Sequence, residues 1–201
     1  YSDGVTPAAD GPFRLDIQPF FMHQGADYDA DGMTDLSVFR PSTGEWLVNG
    51  TTRSTTTHWG TNGDIPVVVG RNYIPSPTVF HPFTGMWYLH SNTTATYYPF
   101  GRSGDIPVSE NFSQNDSSFA VYRPSNGTWY MLDPTTQAFT AYNFGIAEDI
   151  PVPADYDGDS KADIAVFRPS TNVWYRLNSQ NGSFFARQYG QAGDIPSPAS
   201  V

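Results

Sequence analysis

The sequence has no cysteine and a single lysine, Lys161, and each shortage excludes something. Without cysteine there is no disulfide framework and no thiolate metal site. That absence is compatible with a bacterial exported protein. Positive charge is scarce: ten Lys and Arg face twenty Asp and Glu, for a formal net charge of −10. Such a balance argues against nucleic acid and against an anionic membrane surface as partners. No apolar run approaches the ~18 residues of a membrane-spanning helix, so no membrane insertion is expected. No stretch repeats its apolar residues with a helical period. Glycine, proline, serine, threonine, asparagine and aromatics are abundant instead, a turn-rich, β-type composition. The chain starts at Tyr1 without a methionine or a signal peptide. It reads as a processed exported chain, extracellular or on the cell surface, although an excised piece would look the same.

Two acidic loops stand out. Asp155-Tyr156-Asp157-Gly158-Asp159-Ser160-Lys161-Ala162-Asp163 runs straight into the alternating Ile164-Ala165-Val166-Phe167-Arg168-Pro169. Near the other end, Asp27-Tyr28-Asp29-Ala30-Asp31-Gly32-Met33-Thr34-Asp35 runs into Leu36-Ser37-Val38-Phe39-Arg40-Pro41. Carboxylates at positions 1, 3, 5 and 9 of a short loop can converge on one point, and hard oxygen ligands at that density suit Ca²⁺. The expected side-chain ligands are Asp27, Asp29, Asp31 and Asp35 in one loop and Asp155, Asp157, Asp159 and Asp163 in the other. The carbonyls of Met33 and Lys161 fill in between. The alternative is an acidic turn that binds nothing tightly. Between these copies, Gly70-Arg71-Asn72-Tyr73-Ile74 has no acid, and Asn111 to Phe119 keeps one Asp and ends on Phe. Two calcium ions are therefore expected, in a structural rather than catalytic role.

Four marks recur in register. An aromatic precedes Gly at Trp59-Gly60, Phe100-Gly101, Phe144-Gly145 and Tyr189-Gly190. Asp-Ile-Pro stands at Asp64, Asp105, Asp149 and Asp194. A basic residue precedes proline at Arg40, His81, Arg123 and Arg168. One tryptophan per unit, at Trp46, Trp87, Trp129 and Trp174, sets steps of 41, 42 and 45 residues. The repeat is real. In the last unit the strands are expected at 150–153, 164–167, 173–177 and 183–189, with turns supplied by Pro169 to Asn172 and Asn178 to Gly182. Four strands in about 41 to 45 residues is the size of one β-propeller blade; a β-solenoid or a stack of hairpins is the alternative.

The loop Asp155-Tyr156-Asp157-Gly158-Asp159, with Ala162-Asp163-Ile164-Ala165-Val166-Phe167-Arg168-Pro169-Ser170, resembles the FG-GAP or VCBS-type repeat of bacterial exported proteins. Integrin α-chain propellers carry similar loops. The resemblance covers about residues 15 to 196 and is weaker in the two middle units. It implies a calcium-binding propeller that mediates adhesion, interaction or assembly, with no particular chemistry.

The expected fold is thus all-β, a β-propeller of four short four-stranded blades over residues 15–193. An extended arm, 1–14, precedes it. Leu15 to Met22 is the candidate first strand of the first unit. Residues 194–201, opening on Asp194-Ile195-Pro196, begin a fifth unit that never follows, so one terminal strand is surplus. A surplus strand and an open edge can pair between molecules, and a head-to-tail join need not close. Copies of the chain itself, joined through terminal strands, are the expected partner. The alternative is a monomeric adhesion module that binds a glycan or a surface protein. The tryptophans and Tyr88, Tyr130 and Tyr175 could stack on sugars or pack between blades. The Arg-Pro arginines could bind an anion, a backbone carbonyl or the Asp of Asp-Ile-Pro. His23, His58, His81 and His90 share no ligand spacing, and no nucleophile elbow, phosphate loop or zinc-protease motif occurs, so no enzyme is expected.

Overall fold

The structure is a computed structural model that describes residues 27–197, apart from 32, 72–73, 91–94, 109, 113–118 and 134–135. The arm 1–14 and the candidate strand Leu15 to Met22 lie outside the described residues.

Described residues form fifteen short strands in four antiparallel sheets, and no helix occurs among them. The first sheet has three strands, β1 (Leu36–Arg40), β2 (Glu45–Asn49) and β3 (Ser54–His58). The second has four, β4 (Ile65–Arg71), β5 (Ile74–His81), β6 (Met86–Leu89) and β7 (Thr96–Pro99). The third comprises β8 (Ile106–Val108), β9 (Phe119–Arg123), β10 (Thr128–Leu132) and β11 (Phe139–Asn143). The fourth comprises β12 (Ile150–Pro151), β13 (Ile164–Arg168), β14 (Val173–Leu177) and β15 (Phe184–Gln188). Within each sheet every strand pairs with its neighbour in sequence. The sequence places the strands of the last unit to within a residue or two. Asp194 to Ser197 form no strand within the chain.

The recurring marks have separate physical jobs. The turn after each basic-Pro pair brings one residue into left-handed backbone: Gly44, Gly85, Gly127 and Asn172, at φ between 55° and 71°. Glycine accepts that conformation without steric cost, and asparagine tolerates it. The chain then re-enters a strand with its tryptophan facing the preceding strand. Phe39 with Trp46, Phe80 with Trp87, Tyr122 with Trp129 and Phe167 with Trp174 are cross-strand partners. Their rings sit 5.2–5.4 Å apart, in the range of favourable tilted aromatic pairs. Each indole Nε1–H donates to the carbonyl of the aromatic residue before glycine: Trp46 to Trp59, Trp87 to Phe100, Trp129 to Phe144 and Trp174 to Tyr189. A buried indole needs such an acceptor. Trp46, Trp87 and Trp129 are buried, which removes them as sugar-stacking surfaces.

Cores form between successive sheets. Phe119 and Val121 of β9 pack into the second sheet's cluster around Phe80, Trp87 and Leu89. Ile164 and Val166 of β13 pack into the third sheet's cluster around Tyr122, Trp129 and Met131. Val79 of β5 is buried beside the segment that follows β3, where a Cβ built on Gly60 would lie 3.0 Å from its Cγ1. Every inner junction therefore uses the second strand of the following sheet as its wedge. At the ends of the described array this pattern stops. Leu36 and Val38 of β1 are 73 % and 60 % exposed, and Trp174 is only half-buried.

Candidate metal centres

The acidic loops lead into β1 and β13, the second-strand positions of their units. Each is wound by its own carboxylates. In the later loop Asp155 accepts backbone N–H bonds from Gly158 (2.6 Å), Asp159 (3.2 Å) and Ser160 (2.8 Å). Gly158 and Ser160 adopt left-handed backbone, as Ala30 does at Gly158's position in the earlier loop. There Asp31 N donates to Asp27 at 3.1 Å and Met33 N donates to Asp31 at 2.8 Å. Lys161 N makes the matching bond to Asp159 at 2.9 Å.

The ninth-position aspartates close the loops. Asp35 accepts from Tyr28 N at 2.7 Å, and Asp163 accepts from Tyr156 N at 3.0 Å. Asp163 is fully buried and takes a second bond, from Ser179 N, at 2.6 Å. Burial raises the Asp163 pKa above the ordinary carboxylate value, and the two backbone donors oppose the rise.

A second clamp comes from the hairpin turn two strands away, which the sequence reading did not anticipate. Thr51 Oγ1 donates to Asp31, and Thr52 N and Oγ1 donate to Asp29 at 2.9 and 2.6 Å. In the other loop Ser179 Oγ donates to Asp159 at 2.7 Å, and Gln180 N donates to Asp157 at 3.3 Å. Donation from Thr52 holds the Asp29 pKa below its ordinary value. The signal was present in the sequence: both donor pairs stand five and six residues after the tryptophan of their unit.

The carboxylates converge, but differently in the two loops. Asp27, Asp29 and Asp35 each offer an oxygen within 4.8 Å of the others, and so do Asp155, Asp157 and Asp159. Oxygens at about 2.4 Å from one calcium ion are at most about 4.8 Å apart, so neither group is too widely spaced to share a single ion of that size. Asp31 lies outside the first group and Asp163 outside the second. In the first loop Asp29 Oδ1 and Asp35 Oδ1 are buried without a hydrogen-bond partner. A buried carboxylate oxygen left so is costly, and a cation between them would satisfy both. The all-oxygen set, with threonine and serine hydroxyls nearby, fits a hard cation and not a soft one.

The two middle units replace the loop. β4 and β5 pair continuously from Ile65↔Phe80 to Arg71↔Ile74, so a hairpin stands where the acidic loop would be. In the third unit Phe112 packs edge-on against Trp129, and the Asn111 carbonyl accepts from Ala162 N at 2.7 Å. That bond ties the third unit's loop to the fourth unit's acidic loop.

Of the three partners open to the Arg-Pro arginines, the structure selects the Asp of Asp-Ile-Pro for two of them. Arg123 binds Asp105, Arg168 binds Asp149 at 2.8 and 3.0 Å, and His81 binds Asp64 at 2.6 Å in the same manner. Arg40 instead bonds Glu45 at 2.5 Å.

Neither a protein-family model nor a curated protein sequence matches the chain. Two solved structures of AztD from Citrobacter koseri, one of them the apo form, are similar at 11 % identity, with TM-scores of 0.48 and 0.46. The similarity covers 79 % of this chain and 45 % and 44 % of those chains, so the chain spans less than half their length.

Proposed function

We propose that this chain is a calcium-stapled, non-enzymatic module of β-propeller type, extracellular or on the cell surface, that joins head-to-tail with copies of itself. One observation carries the reading. The chain holds two copies of a carboxylate loop, each gathering three acids and each fastened to the far hairpin of its own sheet. An ion there bridges the approach to the second strand and the turn between the third and fourth. That is a staple's position, and it supports a structural role over a catalytic one.

Self-assembly is supported by the tail. Asp194-Ile195-Pro196 repeats the segment that begins the second, third and fourth sheets, yet it pairs with no strand among the described residues, and Ile195 is 88 % exposed. The second reading, a monomeric module that binds a glycan or a surface protein, is favoured by the open aromatic groove on the fourth sheet, lined by Tyr156, Trp174, Phe185 and Tyr189.

Negative-stain electron microscopy in millimolar calcium, repeated after chelation, separates the two. Regular fibres that fail to form in a chain ending at Gly193 are the expected result. Single particles at every concentration would overturn assembly and leave the binding module. Unchanged fibres from the shortened chain would remove the tail from the join.

A further inference from the structure

The three inner junctions share one rule with three parts. First, the second strand of the following sheet drives apolar side chains into the preceding cluster, as Val121 and Val166 do. Second, the Ile-Pro segment that opens the following sheet pairs with that strand: Ile65↔Phe80, Ile106↔Tyr122 and Ile150↔Phe167. Third, the aspartate before Ile-Pro grips the basic residue that ends the strand.

Each end of the described array carries one unmatched half of this rule. At the head, Leu36 and Val38 occupy the positions of Ile164 and Val166 but are exposed. No described strand pairs with the outer edge of β1. Arg40 stands where Arg123 and Arg168 do, half-exposed and bonded to Glu45 instead of an Asp-Ile-Pro aspartate. At the tail, the Asp194 turn is already built. Its carboxylate accepts from Gln191 N at 2.9 Å, as Asp149 accepts from Ile146 N at 2.9 Å. Beside it, the fourth sheet exposes its groove around Trp174.

We infer that a second copy of the chain supplies the missing half. β1 of one copy docks on the fourth sheet of the next, and Leu36 and Val38 enter the groove beside Trp174. Ile195 pairs with Phe39 and Pro196 with Val38, in the register of the inner junctions, and Asp194 takes Arg40 from Glu45. The occupant is another copy, because among the described residues neither Leu36 and Val38 nor the groove is covered by the same chain. The contact repeats an existing junction, so it needs no new geometry. It is heterologous, each copy offering head to one neighbour and tail to another, and extends in one direction wherever the rotation between copies does not close a ring. This deepens the assembly reading above and rests on it.

Sedimentation velocity in millimolar calcium tests it with V38D, R40D, D194R and the double exchange R40D/D194R. All three positions are exposed or half-exposed, so the variants should melt near the parent temperature, which a thermal scan checks. V38D and each single reversal should raise the concentration needed for association about a hundredfold or more, as removing one partner of a docked charge pair does. The double exchange, which rebuilds the pair with reversed sign, should restore association. A parent chain that stays monomeric throughout would overturn both this interface and the assembly reading. A parent and four variants that associate alike would overturn this interface and leave assembly standing. Single reversals that block association without rescue in the double exchange would overturn the Arg40–Asp194 pairing.

Discussion

Asp105 and Arg123 lock together through two parallel hydrogen bonds of 2.7 Å, Nε to Oδ1 and Nη2 to Oδ2, with the carboxylate wholly buried. The guanidinium lies 4.1 Å over the ring of Tyr130. Asp105 also caps its own turn, accepting from Arg102 N at 3.0 Å. One carboxylate thus fixes both the crossover from the second sheet and the end of β9. Arg123→Ala would leave that carboxylate buried and unpaired, at a cost of about 3 to 5 kcal/mol. Arg40→Ala, whose side chain is half-exposed, should cost under about 1 kcal/mol in the monomer. Denaturant titration of both variants checks the contrast, and equal losses would refute it.

Gly127 is expected to resist substitution. Its φ is +62°, and a Cβ there would sit 2.1 Å from the Gly145 carbonyl oxygen. The left-handed conformation alone costs about 1 kcal/mol for alanine, and the overlap with backbone adds to it. Gly127→Ala should therefore lower the melting temperature clearly. Asn172→Gly, at the matching position of the fourth unit (φ 55°), should leave it almost unchanged. A neutral Gly127→Ala would contradict the close approach of the two turns.

Much of this was legible in the sequence, and the parts that were not share a cause. The tryptophan, the basic-Pro pair and the aromatic-Gly pair recur because each makes a bond inside its own unit, so they survive as a period. The strands of the fourth unit were placed to within a residue or two for the same reason. The hydroxyl and amide donors at Thr51, Thr52, Ser179 and Gln180 went unread because they share an offset but no residue type, and backbone N–H groups leave no mark in a sequence. The choice of Asp149 over a carbonyl for Arg168 depends on how a turn and a strand end meet in space, and spacing alone left that open.

Calcium should stabilise the chain measurably. A ligand that binds only the folded state at about a hundred times its dissociation constant adds about 2.7 kcal/mol per site. Calorimetric titration is expected to show two ions per chain, falling to one in Asp157→Asn and to one in Asp29→Asn. Chelation should lower the melting temperature of the parent by more than that of either variant. A melting curve indifferent to chelation would remove the staple.

Stability should also fall at high pH through Tyr122. Burial pushes its pKa up to about 12 from the ordinary 10, and its hydroxyl donates to the Ile146 carbonyl at 2.6 Å. Above pH 10 the unfolded chain releases this proton while the folded chain retains it, so unfolding gains between pH 10 and about 12. The loss amounts to about 2 kcal/mol across that window. Tyr122→Phe should be less stable at neutral pH by about 1 kcal/mol, for the missing hydrogen bond, and flatter in its alkaline decline. Parallel alkaline profiles for parent and variant would show that another group governs the decline.

The half-buried indole of Trp174 has an optical consequence. Trp46, Trp87 and Trp129 are buried, whereas Trp59 and Trp174 are half-buried and only Trp174 lies on the last described sheet. Its emission should lie to the red of theirs and be the more readily quenched by iodide. Whatever comes to cover that sheet would shift the spectrum to the blue and shield it, so the chain carries its own fluorescent gauge of whether its last sheet is free.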